Sequence, residues 1–408
     1  MTSAYTFRSG KRLILVTIIV SCLFLFAFQQ GSLQSYPSSS YSHSTCHNTR
    51  SLNSQTTWQS SHNSISSLTS FLSTNRQYEQ KAPYYLDLND LNATSRALER
   101  QERILVLTPL LKKNSVHHLA TYFDLLDKTT YPNHLISIGL LVSRSSDDDA
   151  DEDIELLSTL SELVYQYQSR WFNKFHDITV YQRDFHLKSN IFFTQQQKQQ
   201  KKKQKQSSKN QHEEKEEEIE EEESIPYQLQ PYYRSVVARA RNFLLTAALK
   251  DDHSWVTWMD VDVKEFPSTI FEDLTKHDVD VIVPNCLLKR EDGAFWAYDR
   301  NNWQETDHSI RFQHSVGQDF VMLEGFQELA TGRTLLVDMP THLGNDYLVA
   351  LDGVGSSFTL VKAQVHREGA NFPSFPYQHQ VDTEGFARMV QAMGFRIYGI
   401  PSYFIYHA

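Results

Sequence analysis

The stretch VTWMDVDVKEFP, residues 256–267, finishes an apolar run with two aspartates one residue apart. In a strand, alternation puts residues i and i+2 on one side, so Asp260 and Asp262 would point the same way. Two carboxylates held like that repel each other unless a cation sits between them. Hard divalent ions such as Mg2+ and Mn2+ take oxygen ligands and bridge phosphate oxygens. A metal clamped by this pair could hold a diphosphate and stabilise the charge that develops as it leaves. The alternative is a strand end with two solvated acids partly balanced by Lys264, and Asp-x-Asp alone is too common to decide between them.

Such a pair needs a sheet to carry it. RILVLTPLL (103–111) reads as a buried strand, and Val116, Leu119, Ala120, Phe123 and Leu126 then recur at helical spacing. LISIGLLVS (135–143) is a second strand, followed by a helix around 153–168 and a strand at DITVYQ. Val236, Val237, Ala240, Phe243, Leu244, Ala247 and Ala248 mark an amphipathic helix over Ser235–Lys250, and SWVTWM is the strand that delivers the aspartates. Repeated strand–helix units predict an α/β fold with a mostly parallel central sheet. Ligands in such sheets bind beyond the carboxyl ends of the strands, where Asp260 and Asp262 fall. No G-x-G-x-x-G loop follows the first strand. Arg239 and Arg241, two apart on the helix, point about 200° from each other, so both cannot share its outer face.

Further candidates lie toward the C-terminus. Asp352 stands before Gly353 and Gly355, glycines that suit either a close backbone approach to a sugar or a plain tight turn. Glu384, in DTEGFARM, suits either a sugar hydroxyl or a helix cap.

The chain has 408 residues and a formal net charge of −10, which argues against nucleic acid as the main partner. Cys22, Cys46 and Cys286 cannot form a disulfide framework; Cys286 reads as a free buried thiol, with a Cys46 bridge as the alternative. Residues 1–12 carry Arg8, Lys11 and Arg12 ahead of an uncharged, mostly apolar run over 13–28. That pattern predicts a cytosolic tail and a signal anchor, in preference to a cleaved signal peptide. Residues 29–100 read as a luminal stem, largely a disordered Ser/Thr/Asn/Gln-rich stretch, with a sequon at Asn92. A catalytic domain spans 101–408, broken at 195–224 by a Gln/Lys-rich and then Glu-rich segment that reads as a solvated insertion.

ARARNFLLTAAL followed by a strand and MDVDVKEFP resembles the fungal Golgi α-1,6-mannosyltransferases of the mannan polymerase family, glycosyltransferase family 62. The C-terminal block VHREGANFPSFPYQHQVDTEGFARMVQAMGFRIYGIPSYFIYHA is similar to the same family's ending. The resemblance implies a GT-A (Rossmann-related) fold, GDP-mannose as donor, Mn2+, retention of configuration and a single-pass type II Golgi topology. It also implies a mannose-terminated N-glycan acceptor and other mannosyltransferase subunits as partners. By the same resemblance Asp260 and Asp262 are the metal pair, and His407 is a third ligand rather than a structural histidine at a strand end. Arg239, Arg241 and Asn242 fall in the helix whose arginines would face the nucleotide diphosphate; an ion pair on a helix surface is the alternative. The charged insertion departs from the family pattern.

Two other functions compete with the enzyme. A non-catalytic scaffold subunit of a mannan polymerase complex needs the fold without turnover. A metal-dependent phosphohydrolase would want more carboxylates and histidines beside the pair than Glu265 supplies.

Overall fold

The computed structural model describes residues 93–111, 115–143, 150–185, 225–289 and 295–408. The 1–12 tail, the 13–28 apolar run, the stem up to Asn92 and the 195–224 insertion lie outside the described residues. The expected location in a Golgi membrane as a single-pass type II protein is corrected here. Among the described residues no helix is long and apolar enough to cross a membrane, and the run on which that expectation rested lies outside them.

β1 (Arg103–Leu110) is nearly all apolar because both its faces are covered. Its odd and even positions enter different cores: Ile104 and Val106 pack on one side, Leu105 and Leu107 on the other. α1 (Ser115–Asp127) and α2 (Ala150–Gln168) close the first side with Leu119, Phe123, Leu126, Leu156 and Leu160. α3 (Gln230–Ala248) closes the second with Ala240, Leu244 and Ala248. β2 (Ile136–Val142), β3 (Asp177–Gln182) and β4 (His253–Met259) complete a parallel half-sheet in the order β3-β2-β1-β4.

Beyond β4 the sheet is mixed, not simply parallel. After β5 (Val263–Glu265), α4 (Ile270–Thr275), β6 (Val281–Lys289), β7 (Phe295–Ala297), β8 (Trp303–Gln304), α5 (Asp307–Ser315), β9 (Thr334–Leu335) and β10 (Val349–Ala350) comes β11 (Phe358–Lys362). β11 inserts antiparallel between β4 and β6. Then α6 (Ala363–Arg367) and α7 (Asp382–Ala392) lead to β12 (Ile397–His407), which is parallel to β6 and antiparallel to β10 and β5. An apolar run carries no mark of its direction, so β11's reversal could not be read from composition.

β12 passes through Pro401, which has no N–H to give a neighbour. Its register against β6 shifts between Ile400 and Phe404, and Asn285 Nδ2 donates to the Pro401 carbonyl at 2.9 Å. Tyr403 and Ile405 are buried after the shift, which fixes the chain end. Cys286 is free and buried.

Candidate metal centre

The two aspartates follow β4 in a turn rather than in the strand. Val263 N–H donates to the Asp260 carbonyl at 3.4 Å, so a tight reversal, not the pleat, brings the carboxylates together. Val261 between them is buried in the core. The turn leads into β5, and β5 pairs with the last residues of β12, Val263 opposite His407. Ala408 N–H donates to the Asp262 carbonyl at 2.9 Å and extends that ladder. Backbone pairing therefore sets His407 beside Asp262.

One ligand atom from each of Asp260, Asp262 and His407 can be chosen so that all lie within 4.8 Å of one another. His407 Nδ1 lies 3.2 Å from the Ala408 oxygen. That oxygen only accepts, so Nδ1 carries a proton, and in the neutral ring, the form that coordinates a cation, Nε2 then holds the lone pair. Nε2 is buried and makes no hydrogen bond, although it lies 2.8 Å from Asp262 Oδ1. The short distance and the missing hydrogen bond agree once both atoms are acceptors facing each other. A lone-pair nitrogen and a carboxylate oxygen this close are the donor set of a divalent cation, and the residues present fit one.

Neighbouring groups fix the three. The Tyr298 ring stacks on the His407 imidazole at 3.4 Å and 15°. Burial first, then the charges of Asp262 and Asp260, push the Tyr298 phenol far up, so it stays protonated. Ser356 Oγ donates to Asp260 Oδ2 at 3.1 Å, and Asp260 N–H donates to the Ser357 carbonyl at 3.2 Å. Asp299 accepts from Ser357 N–H (3.2 Å) and Asn301 N–H (3.3 Å). Enclosure of its carboxyl raises its pKa despite those bonds. The glycines after Asp352 serve close approach to side chains: a Cβ at Gly353 would lie 2.2 Å from Trp303, and one at Gly355 1.8 Å from Asp299.

The other sequence candidates divide. Arg239 is exposed, whereas Arg241 is buried and ion-paired with Asp382. Burial works against the Arg241 charge, but Asp382 and then Asp260 outweigh it and raise its pKa. Arg241 therefore lies within reach of the Asp260 charge. Asn242 holds the backbone of Phe372 in both directions, at 2.7 and 2.9 Å. Asp352 takes Glu305 N–H at 2.7 Å and Gln391 Nε2 at 2.8 Å. Glu384 is fully buried and receives Arg234 (2.6 Å), Trp303 Nε1 (2.8 Å) and Arg333 (3.4 Å). Desolvation nevertheless raises the Glu384 pKa. Arg333 stacks over Trp303 at 3.5 Å. Glu384 thus serves a buried ion network around Trp303 and makes no helix-cap hydrogen bond, while half-buried Asp352 ties the Glu305 backbone to Gln391. Tyr298, Asp299, Ser356 and Asp382 carried no sequence signal, because each acts through a contact distant along the chain.

The Anp1 family model matches residues 83–211 and 194–376. The chain belongs to the Anp1 family. It is 32% identical over 330 residues to the mannan polymerase complex subunit MNN9 of Candida albicans, covering 79% of each chain. It is 35% identical over 326 residues to the mannan polymerase II complex ANP1 subunit of Saccharomyces cerevisiae, covering 79% of this chain and 58% of that one. This chain thus spans less than two-thirds of the second relative. Among solved structures, it is similar to the mannosyltransferase PcManGT from Pyrobaculum calidifontis in complex with GDP-Man and Mn2+. That overlap has 11% identity, covers 85% of this chain and 66% of the other, and has a TM-score of 0.34, too loose to carry an argument. The seam between the two family matches falls at the Gln/Lys-rich start of the insertion.

Proposed function

We propose that this chain is a metal-dependent, GT-A-type mannosyltransferase of mannan synthesis, using GDP-mannose as donor and a mannose-terminated glycan as acceptor. The relatives named as mannan polymerase complex subunits support the substrate class and further subunits as partners. The α-1,6 linkage, retention of configuration and membership of glycosyltransferase family 62 follow from the resemblance in ARARN, MDVDV and the C-terminal block.

The observation that carries the proposal is the grouping of Asp260, Asp262 and His407 ligand atoms within 4.8 Å, with His407 Nε2 and Asp262 Oδ1 buried 2.8 Å apart. Asp260, Asp262 and His407 would hold the ion, and a nitrogen beside two hard oxygens favours Mn2+ over Mg2+. A bound divalent ion neutralises the charge on a departing diphosphate. Ser356 holds Asp260, Tyr298 holds the His407 ring, and Arg241 adds positive charge on the same side as Asp260. Those three keep the ligands and the diphosphate's surroundings in place before substrate arrives.

Incubating the purified protein with Mn2+, a panel of sugar nucleotides and an α-mannoside acceptor tests the reading. Mannose transfer only from GDP-mannose, lost on chelation, is expected. Metal binding without any transfer would return the scaffold reading, and release of free phosphate would favour a hydrolase.

A further inference from the structure

Buried polar atoms without partners are scattered through the described residues, and four of them fall on Gln380, Asp382 and Arg241. Gln380 is fully buried, yet neither Nε2 nor Oε1 of its amide has a hydrogen-bond partner. Two residues on, Asp382 is 6% exposed and its Oδ1 has none, while its Oδ2 pairs with Arg241. Arg241 Nε has none either. A buried polar atom without a partner is destabilising, and native proteins keep few of them.

The backbone of the same turn is strained. Six non-glycine residues among the described ones have left-handed φ, and three of these are Gln378 (48°), His379 (66°) and Asp382 (54°). Such conformations are strained and cluster where a ligand is held. The turn is firmly specified: Tyr377 and Gln380 exchange backbone hydrogen bonds at 2.8 and 3.0 Å, and Asp382 N–H donates to the Pro373 carbonyl at 3.0 Å. In front of it, the irregular stretch Gly317–Leu323 is tied on by Met322 N–H to the His379 carbonyl (2.9 Å) and by His379 Nδ1 to the Phe320 carbonyl (3.0 Å).

The orphaned set holds one amide donor and acceptor, one carboxylate oxygen and one guanidinium N–H. A hexose offers hydroxyls that both give and accept, which is the complement of that set. We infer that the Tyr377–Asp382 turn is the sugar-recognition wall of the site, with Gln380 and Asp382 taking hydroxyls of a hexose. The inference rests on the proposed mannosyltransferase reading and adds residues to it. Asp382 binds through Oδ1 while its Oδ2 keeps the ion pair with Arg241. The hexose is either the transferred sugar of the donor or the terminal sugar of the acceptor, since both present the same hydroxyl chemistry.

The test uses Gln380→Met, close in shape and without the amide, together with Asp382→Asn. Calorimetry on the full chain with Mn2+ compares GDP, GDP-mannose and methyl α-mannoside. In the wild type, GDP-mannose should bind more tightly than GDP, or the mannoside should bind measurably. Both variants should lose about tenfold or more of that sugar-dependent affinity. The GDP affinity of Gln380→Met should stay within about twofold, the spread of one weak contact, whereas Asp382→Asn also loosens Arg241 and is read only on the sugar. Gln380→Met should also melt at the same temperature as wild type or higher, because an orphaned buried amide has been removed. Loss confined to GDP-mannose assigns the donor sugar, and loss confined to the mannoside assigns the acceptor. Unchanged sugar affinity in Gln380→Met, or a clear fall in its melting temperature, overturns the inference. A wild type that binds GDP with Mn2+ but neither sugar overturns it too, while leaving the metal–diphosphate reading standing. A wild type that binds the mannoside but no GDP removes that reading and keeps the wall.

Discussion

At the scale of single residues, His407 Nε2 and Asp262 Oδ1 lie 2.8 Å apart with no hydrogen bond between them. With the ring neutral and no cation between them these are two acceptors that repel, and the β5–β12 backbone pairing holds them there. Asp262→Asn replaces one acceptor by an amide that can donate to His407 Nε2. The variant should melt at a higher temperature than wild type while its Mn2+ affinity falls about tenfold or more. Differential scanning fluorimetry and a Mn2+ titration read both quantities. A lower melting temperature with unchanged Mn2+ affinity would show that the pair is structural. The aspartates were legible in the sequence because their spacing is local. Their mutual geometry was not: a turn does what the strand pleat was expected to do.

At the scale of elements, the two glycines before β11 and the short helix after it carry separate constraints. Gly353 packs against Trp303, an indole held through Nε1 by Glu384 and stacked by Arg333. Gly353→Ala forces a Cβ into that ring and should destabilise the fold by about 1–3 kcal/mol. Gly317→Ala, which meets nothing within 4 Å, should be close to neutral, and urea unfolding of the two variants makes the comparison. On α6, His366 Nε2 must accept from Trp258 Nε1 at 3.1 Å, and Nδ1 must donate to the Ala370 carbonyl at 2.8 Å. Only the neutral ring can do both. Burial accordingly lowers its pKa to about 4, partly opposed by the Ala370 bond. With the folded pKa below the unfolded 6.5, the unfolded chain binds more protons between those values. Stability from this group is full above about pH 6.5 and falls as pH drops toward 4, by about 2 kcal/mol at pH 5. Denaturant titrations should show this slope in wild type and its absence in His366→Gln. The strands and helices here were legible from apolar periodicity. Trp303, Arg333 and Arg234 around Glu384 were not, because no local pattern marks a buried ion network assembled from four separate segments.

At the scale of the whole molecule, the order of strands decides what the chain's distant parts can do together. β4 delivers Asp260 and Asp262, β12 returns the far end of the chain to the same place, and β11 between β4 and β6 brings Ser356 and Ser357 alongside. His407 could be proposed from the resemblance alone, since nothing in IYHA says which strand it will lie beside. The family match breaks at the insertion, and loop-closure entropy varies only slowly with length. Replacing residues 195–224 by a short Gly/Ser linker should therefore leave Mn2+ affinity and mannosyl transfer unchanged and shift the melting temperature little. Loss of transfer with the melting temperature kept would make the segment an acceptor or partner site. Asp260, Asp262 and His407 are proposed to hold one divalent ion, and Mn2+ titration followed by electron paramagnetic resonance measures this. One tight site is expected in wild type, weakened about tenfold or more in His407→Ala and lost in the Asp260→Ala, Asp262→Ala double variant. Equal Mn2+ affinity in wild type and all variants would contradict it.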